Sequence, residues 1–267
     1  MPIHSCEIIA NDQLAGDVYR LTFYSEVISE EAKPGQFIHV RVCVQYDPLL
    51  RRPFSIHDMG RIANGVDVLY KAVGSGTRIL ASKQEGETVD VLGPLGRGFD
   101  FELAPRDSLV IAGGIGIAPF PFFVRQLTAV GRPVRVIAGW KTAEEIAGIE
   151  EIESFEIPVE IATEDGSYGF KGTVTDLFEE QLKNTQSQSD GIALYACGPE
   201  AMLAKVARLA RLHDFPCQLS IEERMACGIG ACFGCAVPGI KKDQSDPDYR
   251  LVCKDGPVFD IDEVSLD

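Results

Sequence analysis

The stretch "SLVIAGGIGIAPFPFFV", residues 108–124, joins an uncharged apolar run to a cluster of glycines and two prolines. The run "SLVIAGG" predicts a buried strand, and the residues after it predict a tight turn into a helix. Gly113, Gly114 and Gly116 at this turn would let a pyrophosphate approach the backbone where a helix begins. The stretch does not match the G-x-G-x-x-G fingerprint, so a strand–helix turn without a ligand is the alternative interpretation.

The segments downstream alternate between strand-like and helix-like patterns, which predicts a parallel sheet covered by helices. In order they are "PVRVIAGW", "VEIATED", "GTVTDLFEEQL", "GIALYACG" and "PEAMLAKVARLARLH". The last of these carries an apolar helix face made of Met202, Leu203, Val206, Leu209 and Ala210. A second strand-to-helix junction, "ACGPEAM", follows Cys197 and turns at Gly198 and Pro199. Because ligands of such sheets bind at the carboxyl ends of strands, both junctions are expected at one edge.

Residues 1–103, upstream of the glycine-rich stretch, contain short alternating runs separated by turn residues. This rhythm predicts an antiparallel sheet or barrel. Within it, "LLRRPFSIHD" places Arg51 and Arg52 together, and an arginine there could pair with a phosphate through two hydrogen bonds. The segment "YKAVGSGTRIL" places Gly74, Gly76 and Thr77 at a predicted helix start, which also suits a phosphate. The alternative for the first segment is a surface arginine beside a buried polar turn.

The stretch "CGIGACFGC", residues 227–235, together with Cys253 gives the spacing C-x4-C-x2-C-x17-C. Structural zinc sites usually use two short cysteine pairs, whereas this spacing is typical of plant-type 2Fe–2S ligands. Intervening glycines let the loop curl so that backbone N–H groups point at the sulfurs. The pattern therefore predicts a 2Fe–2S cluster held by Cys227, Cys232, Cys235 and Cys253, with zinc as the alternative.

The composition fits a globular chain of two domains and a small appendage, with 267 residues of which 45% are hydrophobic. We expect domains at residues 1–103, 104–215 and 216–267, the last too small to build its own core without a metal. A net charge of −15 argues against binding nucleic acid or anionic membranes. The N-terminus does not read as a signal peptide, so a cytoplasmic location is expected, where thiols stay reduced and a disulfide is disfavoured.

Taken together, "RPFSI", "VGSGT", "GGIGIAPF" and "CGPEAM" resemble the flavin and nicotinamide segments of the ferredoxin–NADP reductase superfamily. The C-terminal "ERMACGIGACFGCAV" and "RLVCKDGPVF" more specifically resemble the electron-transfer subunits of two-subunit, NAD-linked dihydroorotate dehydrogenases. The resemblance covers nearly the whole chain in the family's domain order. It implies an antiparallel β-barrel that binds flavin, an α/β parallel-sheet NAD domain and a small C-terminal 2Fe–2S domain.

The resemblance also implies a function. NADH would give a hydride to FAD, and single electrons would pass through the cluster to FMN in a separate catalytic subunit. That subunit interconverts dihydroorotate and orotate in pyrimidine (UMP) biosynthesis, in a heterotetramer of two copies of each subunit. The same module also serves as the flavin subunit of hydrogenases, sulfide dehydrogenases and sulfite reductases, which are the alternative enzymes. A zinc-containing interaction module is the non-enzymatic alternative.

The family's site residues carry over onto matching positions. The residues expected to line FAD are Arg52, Pro53, Phe54, Ser55, Leu69, Tyr70, Lys71, Gly76 and Thr77. Those expected to shape the NAD site are Gly113, Gly114, Gly116, Cys197, Gly198 and Pro199. Ser55 and Cys197 are expected near the flavin and the nicotinamide, but no residue is assigned a catalytic role, because hydride transfer to flavin depends mainly on positioning.

Several residues depart from the pattern or have two interpretations. Phe54 stands where the wider superfamily has Tyr, which leaves its role open. Near "AGWKTAEE" only Lys141 could meet a 2′-phosphate, which favours NAD over NADP. His57 and Asp58 are either a solvated turn or a catalytic pair. Cys197 is also suited to be a small buried apolar residue, and Cys6, Cys43 and Cys217 are expected to pack in strands.

Overall fold

The computed structural model describes residues 3–59, 61–103, 107–184, 191–241 and 249–266. The strands are β1 (Ile3–Ala15), β2 (Val18–Tyr24), β3 (Phe37–Arg41), β4 (Arg52–Met59), β5 (Gly65–Lys71), β6 (Thr88–Leu95), β7 (Asp107–Gly113), β8 (Val134–Trp140), β9 (Val159–Thr163), β10 (Phe170–Lys171), β11 (Ile192–Cys197), β12 (Cys217–Ser220), β13 (Ala236–Pro238), β14 (Tyr249–Leu251) and β15 (Val258–Asp260). The α-helices are α1 (Glu26–Glu31), α2 (Ser75–Ala81), α3 (Phe120–Ala129), α4 (Glu150–Glu153), α5 (Val174–Asn184) and α6 (Glu200–Leu212).

The first six strands close into an antiparallel barrel in the order β1-β2-β5-β4-β3-β6. The alternating runs of the sequence explain this fold, because every second side chain points into the barrel. Ile38, Val40, Ile56 and Val68 lie in its core with no exposed surface. The predicted N-terminal barrel is therefore confirmed.

The second unit is a seven-stranded sheet in the order β10-β9-β8-β7-β11-β12-β15. All neighbouring pairs are parallel except β12 and β15, which run antiparallel. The glycine-rich stretch forms β7, a short 3-10 turn at Gly114–Ile117 and then α3, as the sequence predicts. Helix α3 packs on one face of the sheet, and α5 and α6 pack on the other. The predicted apolar face of α6 is buried at four positions, and Met202 is partly buried beside it.

The C-terminal region is attached to this sheet at both ends. Strands β12 and β15 come from residues 216–267, yet they extend the nucleotide sheet, while β13 and β14 form a separate two-stranded sheet. Cys217 packs in β12 as expected, because Cys217 and Leu219 turn their side chains into the core shared with α6. The sheet therefore continues across the proposed boundary at residue 215. The other proposed boundary, at residue 103, adjoins residues 104–106, which lie outside the described part of the chain.

The expectation that Cys43 packs in a strand is wrong. Cys43 is only half-buried and lies past the end of β3. The chain curls away there because Arg41 donates hydrogen bonds to the carbonyl oxygens of Cys43 and Val44, each at 3.0 Å. Cys6, by contrast, is buried in β1 as predicted.

Of the two interpretations of His57 and Asp58, the solvated turn is wrong, because both residues lie in β4 with no exposed surface. Asp58 accepts two hydrogen bonds from the guanidinium of Arg125 in α3, one of them 2.8 Å long from Nε. His57 Nδ1 lies 2.8 Å from the carbonyl oxygen of Ala118, and its Nε2 lies 3.5 Å from Glu151 in α4. This buried network joins the barrel to the helices of the nucleotide sheet.

Within the described ranges, no helix is long and apolar enough to cross a membrane.

We predict that Asp58→Asn lowers the free energy of unfolding by about 3 kcal/mol, because a buried charge pair loses one partner. Urea unfolding of the cofactor-loaded protein measures this loss. Arg208→Gln removes an exposed pair with Glu179 and is the matched control, with an expected loss of about 0.5 kcal/mol or less. Equal losses for the two variants would contradict an energetic role for the buried network.

Candidate functional site

A cavity of about 810 Å³ lies at the carboxyl ends of β7, β8, β11 and β12, facing the edge of the barrel. Both predicted junctions contribute to its wall, through Gly113, Gly114, Gly116, Gly198 and Pro199. This volume lies within the range of small-molecule and cofactor sites. The structure therefore brings together five of the six residues expected to shape the NAD site.

The glycines of this wall have different physical roles. A β carbon on Gly116 would lie 2.3 Å from the carbonyl oxygen of Cys197, and one on Gly113 would lie 2.5 Å from Sδ of Met202. These two glycines allow the two junctions to pack directly against each other. Gly114 has φ 54° and nothing within 4 Å of a built β carbon. Its backbone therefore needs glycine for the left-handed turn rather than for packing.

Cys197 ends β11 and is 2% exposed, so it is the small buried residue that the sequence offered as the alternative. It is absent from the described cavity lining. Burial, with a smaller contribution from the nearby Glu222, raises the pKa of its thiol and keeps it protonated. Cys197 therefore supports the wall from behind.

Sequence reasoning missed Glu222, which lines the cavity immediately after β12 and Ile221. Its side chain is exposed towards the cavity, yet the protein around it partly desolvates the carboxyl group and raises its pKa. A carboxyl group with a raised pKa in a cleft is a candidate for a functional role. Its position just past an apolar strand, at the edge where ligands bind, is the sequence signal that could have identified it.

The lining of the cavity is also acidic. Glu144, Glu145 and Glu164 line it beside Lys141. Lys71, from the barrel, also lines the cavity, and its Nζ lies 3.3 Å from the carboxylate of Asp17. Because carboxylates outnumber lysines in the lining, it disfavours a 2′-phosphate and favours NAD over NADP.

The flavin segment of the barrel divides between two faces of β4. Phe54 is 9% exposed and packs inside the barrel, with its ring centroid 5.5 Å from that of Tyr70. Tyr70 is 1% exposed and donates a hydrogen bond of 2.9 Å to Asn11 Oδ1. These two rings thus belong to the barrel core. Pro53 and Ser55 lie on the opposite face and are half-buried.

Arg52 contacts the turn that begins α2. A β carbon on Gly76 would lie 2.7 Å from Nε of Arg52, so the guanidinium rests directly on this glycine. Thr77 is 9% exposed, and its hydroxyl accepts a hydrogen bond of 3.0 Å from the N–H of Gly74. The structure thus joins Arg52 to the segment 74–77, as expected for a phosphate site, while the hydroxyl of Thr77 already serves the helix cap. Leu69 is buried against the nucleotide domain.

Backbone N–H groups of residues 227–235, which we call the cysteine loop, and of Cys253 point at the sulfurs of the four cysteines. Cys227 Sγ accepts from Ile229 and Ala231, at 3.5 and 3.3 Å. Three further bonds reach the other sulfurs: Gly230 N–H to Cys253 at 3.1 Å, Gly234 N–H to Cys232 at 3.5 Å and Cys253 N–H to Cys235 at 3.4 Å. Each donor favours a thiolate over a thiol, and thiolates are the ligands of an iron–sulfur cluster.

The cysteine sulfurs also influence one another. Burial opposes ionisation of Cys227, yet hydrogen bonds from the loop and from Cys232 lower its pKa to about 6. Burial, reinforced by Cys235 and then by Cys227, raises the pKa of Cys253 to about 12. Such interactions place all four sulfurs in one neighbourhood.

The four cysteines differ in exposure, with Cys232 exposed, Cys227 half-buried, and Cys235 and Cys253 each 3% exposed. Across the described ranges, no three histidine, cysteine, aspartate or glutamate side chains form a compact metal-ligand group. The fit to a 2Fe–2S cluster therefore rests on the spacing, the N–H donors and the shared electrostatics of the thiols. These three features agree.

Comparisons with known proteins agree with this geometry. The model of the iron–sulfur cluster binding domain of dihydroorotate dehydrogenase B matches residues 222–265, and that of the oxidoreductase NAD-binding domain matches residues 110–208. The electron transfer subunit of dihydroorotate dehydrogenase B (NAD(+)) from Geobacillus kaustophilus is 43% identical over 263 residues, or 97% of each chain. The corresponding subunit of Bacillus caldolyticus is 42% identical, with the same coverage.

Among solved structures, an NADH-dependent reduced ferredoxin-NADP oxidoreductase aligns with a TM-score of 0.84 and 28% identity, covering 98% of this chain and 90% of that chain. A ferredoxin NADP+ reductase from Neisseria gonorrhoeae, solved with FAD and NADP, aligns with a TM-score of 0.68 and 18% identity. It covers 79% of this chain and 91% of that chain, and at this identity the likeness supports the fold alone.

We predict that Cys232→Ala abolishes cluster binding and leaves flavin reduction by NADH intact, because this loop ligand lies outside the described cavity lining. Iron content and flavin bleaching measure the two effects separately. Cys43→Ala is the control and should keep full iron content. Stoichiometric iron in the Cys232 variant would contradict the ligand assignment.

We predict that Gly116→Ala lowers kcat/KM for NADH about tenfold or more with an artificial electron acceptor, because the added methyl group pushes the two junctions apart. Steady-state kinetics provide the measurement. Gly131→Ala is the control for general destabilisation. Gly131 has a left-handed backbone (φ 70°) that strains an alanine, but it lies outside the described cavity lining. If the two variants have the same kcat/KM, the packing of the junctions does not shape the site.

Proposed function

The chain belongs to the family of electron transfer subunits of NAD-linked dihydroorotate dehydrogenase B, and we propose how its residues serve that transfer. The chain passes electrons from NADH through FAD and a 2Fe–2S cluster to the FMN-containing catalytic subunit of dihydroorotate dehydrogenase, in pyrimidine biosynthesis. We place the assembly in the cytoplasm as a heterotetramer with two copies of each subunit.

One observation carries the assignment of residues. The three residues that follow the proposed ligand Cys235 line the nucleotide cavity: Ala236, Val237 and Pro238. The chain therefore passes directly from the cysteine loop into the wall of the nucleotide cavity. Electron transfer weakens steeply with distance, so this arrangement suits a chain that receives electrons in the cavity and delivers them at the loop.

The chain's own residues bind and position. When bound, FAD accepts a hydride from NADH and releases its electrons singly to the 2Fe–2S cluster. Arg52, resting on Gly76, offers paired N–H donors to a phosphate of the flavin nucleotide. Pro53 and Ser55 present the outer face of β4 to the flavin ring. Glycines 113, 114 and 116 hold the junction against which the nicotinamide nucleotide lies.

The N–H donors of the cysteine loop stabilise the sulfurs of the cluster. Reduction adds one negative charge, and hydrogen bonds to sulfur favour the more negative state. Because these donors are backbone groups held by the turns at Gly228 and Gly230, with φ of 72° and 80°, they are in place before reduction. The loop therefore needs little rearrangement when an electron arrives.

The catalytic subunit is expected to contact the cysteine loop. Phe233 lies between two ligands, is 68% exposed and has φ 59°, a backbone conformation that is unusual for phenylalanine. Ile229, in the same loop, is 48% exposed. Large apolar side chains exposed beside a cluster suit a surface that a partner covers.

The curated relatives favour this assignment over the flavin subunits of hydrogenases, sulfide dehydrogenases and sulfite reductases. Proteins 39–43% identical over 96–97% of the chain carry the name of the dihydroorotate dehydrogenase B subunit. A zinc-containing interaction module does not account for the nucleotide cavity.

Reconstitution tests the function directly. The purified chain, mixed with an FMN-containing dihydroorotate dehydrogenase subunit, should make orotate reduction depend on NADH, and it should carry FAD itself. A complex that instead forms with a partner holding nickel or only iron–sulfur centres, and no FMN, would contradict the proposal.

We predict that Phe233→Glu weakens association with the catalytic subunit about tenfold or more, because a central aromatic contact is replaced by a charge. Analytical ultracentrifugation of the mixed subunits measures the affinity. Tyr249→Glu alters an exposed aromatic residue on β14 and is the control for surface charge. Unchanged affinity of the Phe233 variant, with iron content intact, would exclude Phe233 from the interface.

A further inference from the structure

His39 lies in the middle of β3 with no exposed surface. Neither of its ring nitrogens makes a hydrogen bond of good geometry within the described residues, although the backbones of Arg51 and Cys227 lie close enough to interact with the ring. A buried polar group without a partner costs about 1–3 kcal/mol, so its presence calls for a physical reason. His57, equally buried, differs because its Nδ1 lies 2.8 Å from the Ala118 carbonyl oxygen.

One side of the His39 ring meets the cysteine loop. A β carbon on Gly228 would lie 2.5 Å from Nδ1 of His39 and 3.1 Å from its Cε1. The imidazole therefore rests on the backbone of the residue that follows the ligand Cys227. A larger residue at position 228 would displace the ring or the loop.

The other side of His39 faces the flavin segment. In the antiparallel pairing of β3 and β4, His39 is opposite Pro53 and Phe37 is opposite Ser55. Residues opposite one another in such a pair project from the same face. His39 therefore shares its face of the barrel with Pro53 and Ser55, whereas Phe54 points into the core.

The backbone around His39 is fixed by Arg51. The guanidinium of Arg51 donates hydrogen bonds to the carbonyl oxygens of His39, at 3.3 Å, and of Asp90 on β6, at 2.9 Å. Its Nη2 also lies 2.8 Å from the carboxylate of Asp90. Phe37, two residues before His39, belongs to the same apolar cluster as Cys235 and Cys253. Strand β3 is thus paired with the flavin strand β4 on one edge and with β6 on the other, while the His39 side chain reaches the cysteine loop.

We propose that His39 is a positioning residue that joins the flavin strand to the cluster loop and sets the coupling between FAD and the 2Fe–2S cluster. Its contact with Gly228 holds the loop beside Cys227, while its place opposite Pro53 ties that contact to the flavin-bearing face. The ring lies against Gly228 and close to the backbone of Cys227, so a small adjustment of the loop lets the imidazole hydrogen-bond to it, as outer-shell partners of metal ligands do. This inference rests on the proposed function, since it concerns transfer between the two groups.

The test compares His39→Phe, which keeps an aromatic ring without a hydrogen bond, with His39→Gln, which keeps a donor. Each cofactor-loaded chain is mixed with NADH without oxygen, and flavin absorbance, cluster absorbance and the electron paramagnetic resonance spectrum are recorded over time. We expect His39→Phe to reduce its flavin at the normal rate, to reduce its cluster about tenfold or more slowly and to show an altered cluster spectrum. His39→Gln should recover most of the cluster-reduction rate.

His4→Phe, on β1 of the same barrel, is the control and should match the wild type in every readout. Loss of iron from His39→Phe but not from His39→Gln would also support the role of the hydrogen bond. A normal cluster spectrum and reduction rate in His39→Phe would overturn the inference, and so would iron loss from both variants. Failure of the wild-type chain to reduce a cluster with NADH would instead refute the proposed function.

Discussion

The pairing of β12 with β15 is the interaction on which the arrangement of the redox site depends. Leu219 lies opposite Phe259 and Ser220 lies opposite Val258, so the chain that carries all four cysteines leaves and rejoins the nucleotide sheet at adjacent strands. Both ends of the cysteine loop are therefore fixed to the scaffold that forms the nucleotide cavity. An iron–sulfur site on a freely hinged appendage would lack a constant distance to its electron donor.

The barrel is held to this scaffold by buried charge rather than by apolar contact alone. Asp58 pairs with Arg125, and Glu151 meets both Arg20 and His57 across the same junction. Burial alone would raise the pKa of Glu151, but hydrogen bonding with His57 and the charges nearby lower it to about 2, so the carboxylate stays charged. Directional contacts of this kind specify one orientation of the flavin strand against the nucleotide sheet, whereas apolar packing tolerates sliding.

Sequence reasoning succeeded where the signal is local. The alternating runs predicted the barrel, and the strand–turn–helix at residues 108–124 predicted the nucleotide edge. The spacing of the cysteines predicted an iron–sulfur domain, and the family model of such a domain matches residues 222–265. It failed where contacts are distant in the chain. The burial of His57 depends on helices about 60 and 90 residues away, and the addition of β15 to the sheet depends on a partner about 40 residues earlier. The resemblance placed Phe54 along the flavin, whereas in the structure it packs inside the barrel against Tyr70. Which face of β4 forms the core depends on its neighbours β3 and β5 in the barrel.

Anaerobic titration of the purified chain with NADH tests the central claim most directly. Because FAD takes two electrons and a 2Fe–2S cluster takes one, the account predicts uptake of about three electrons per chain, with bleaching of the flavin and appearance of a reduced-cluster resonance. Uptake that ends at about two electrons without a cluster signal, or a colourless chain with stoichiometric zinc that takes up none, would contradict it.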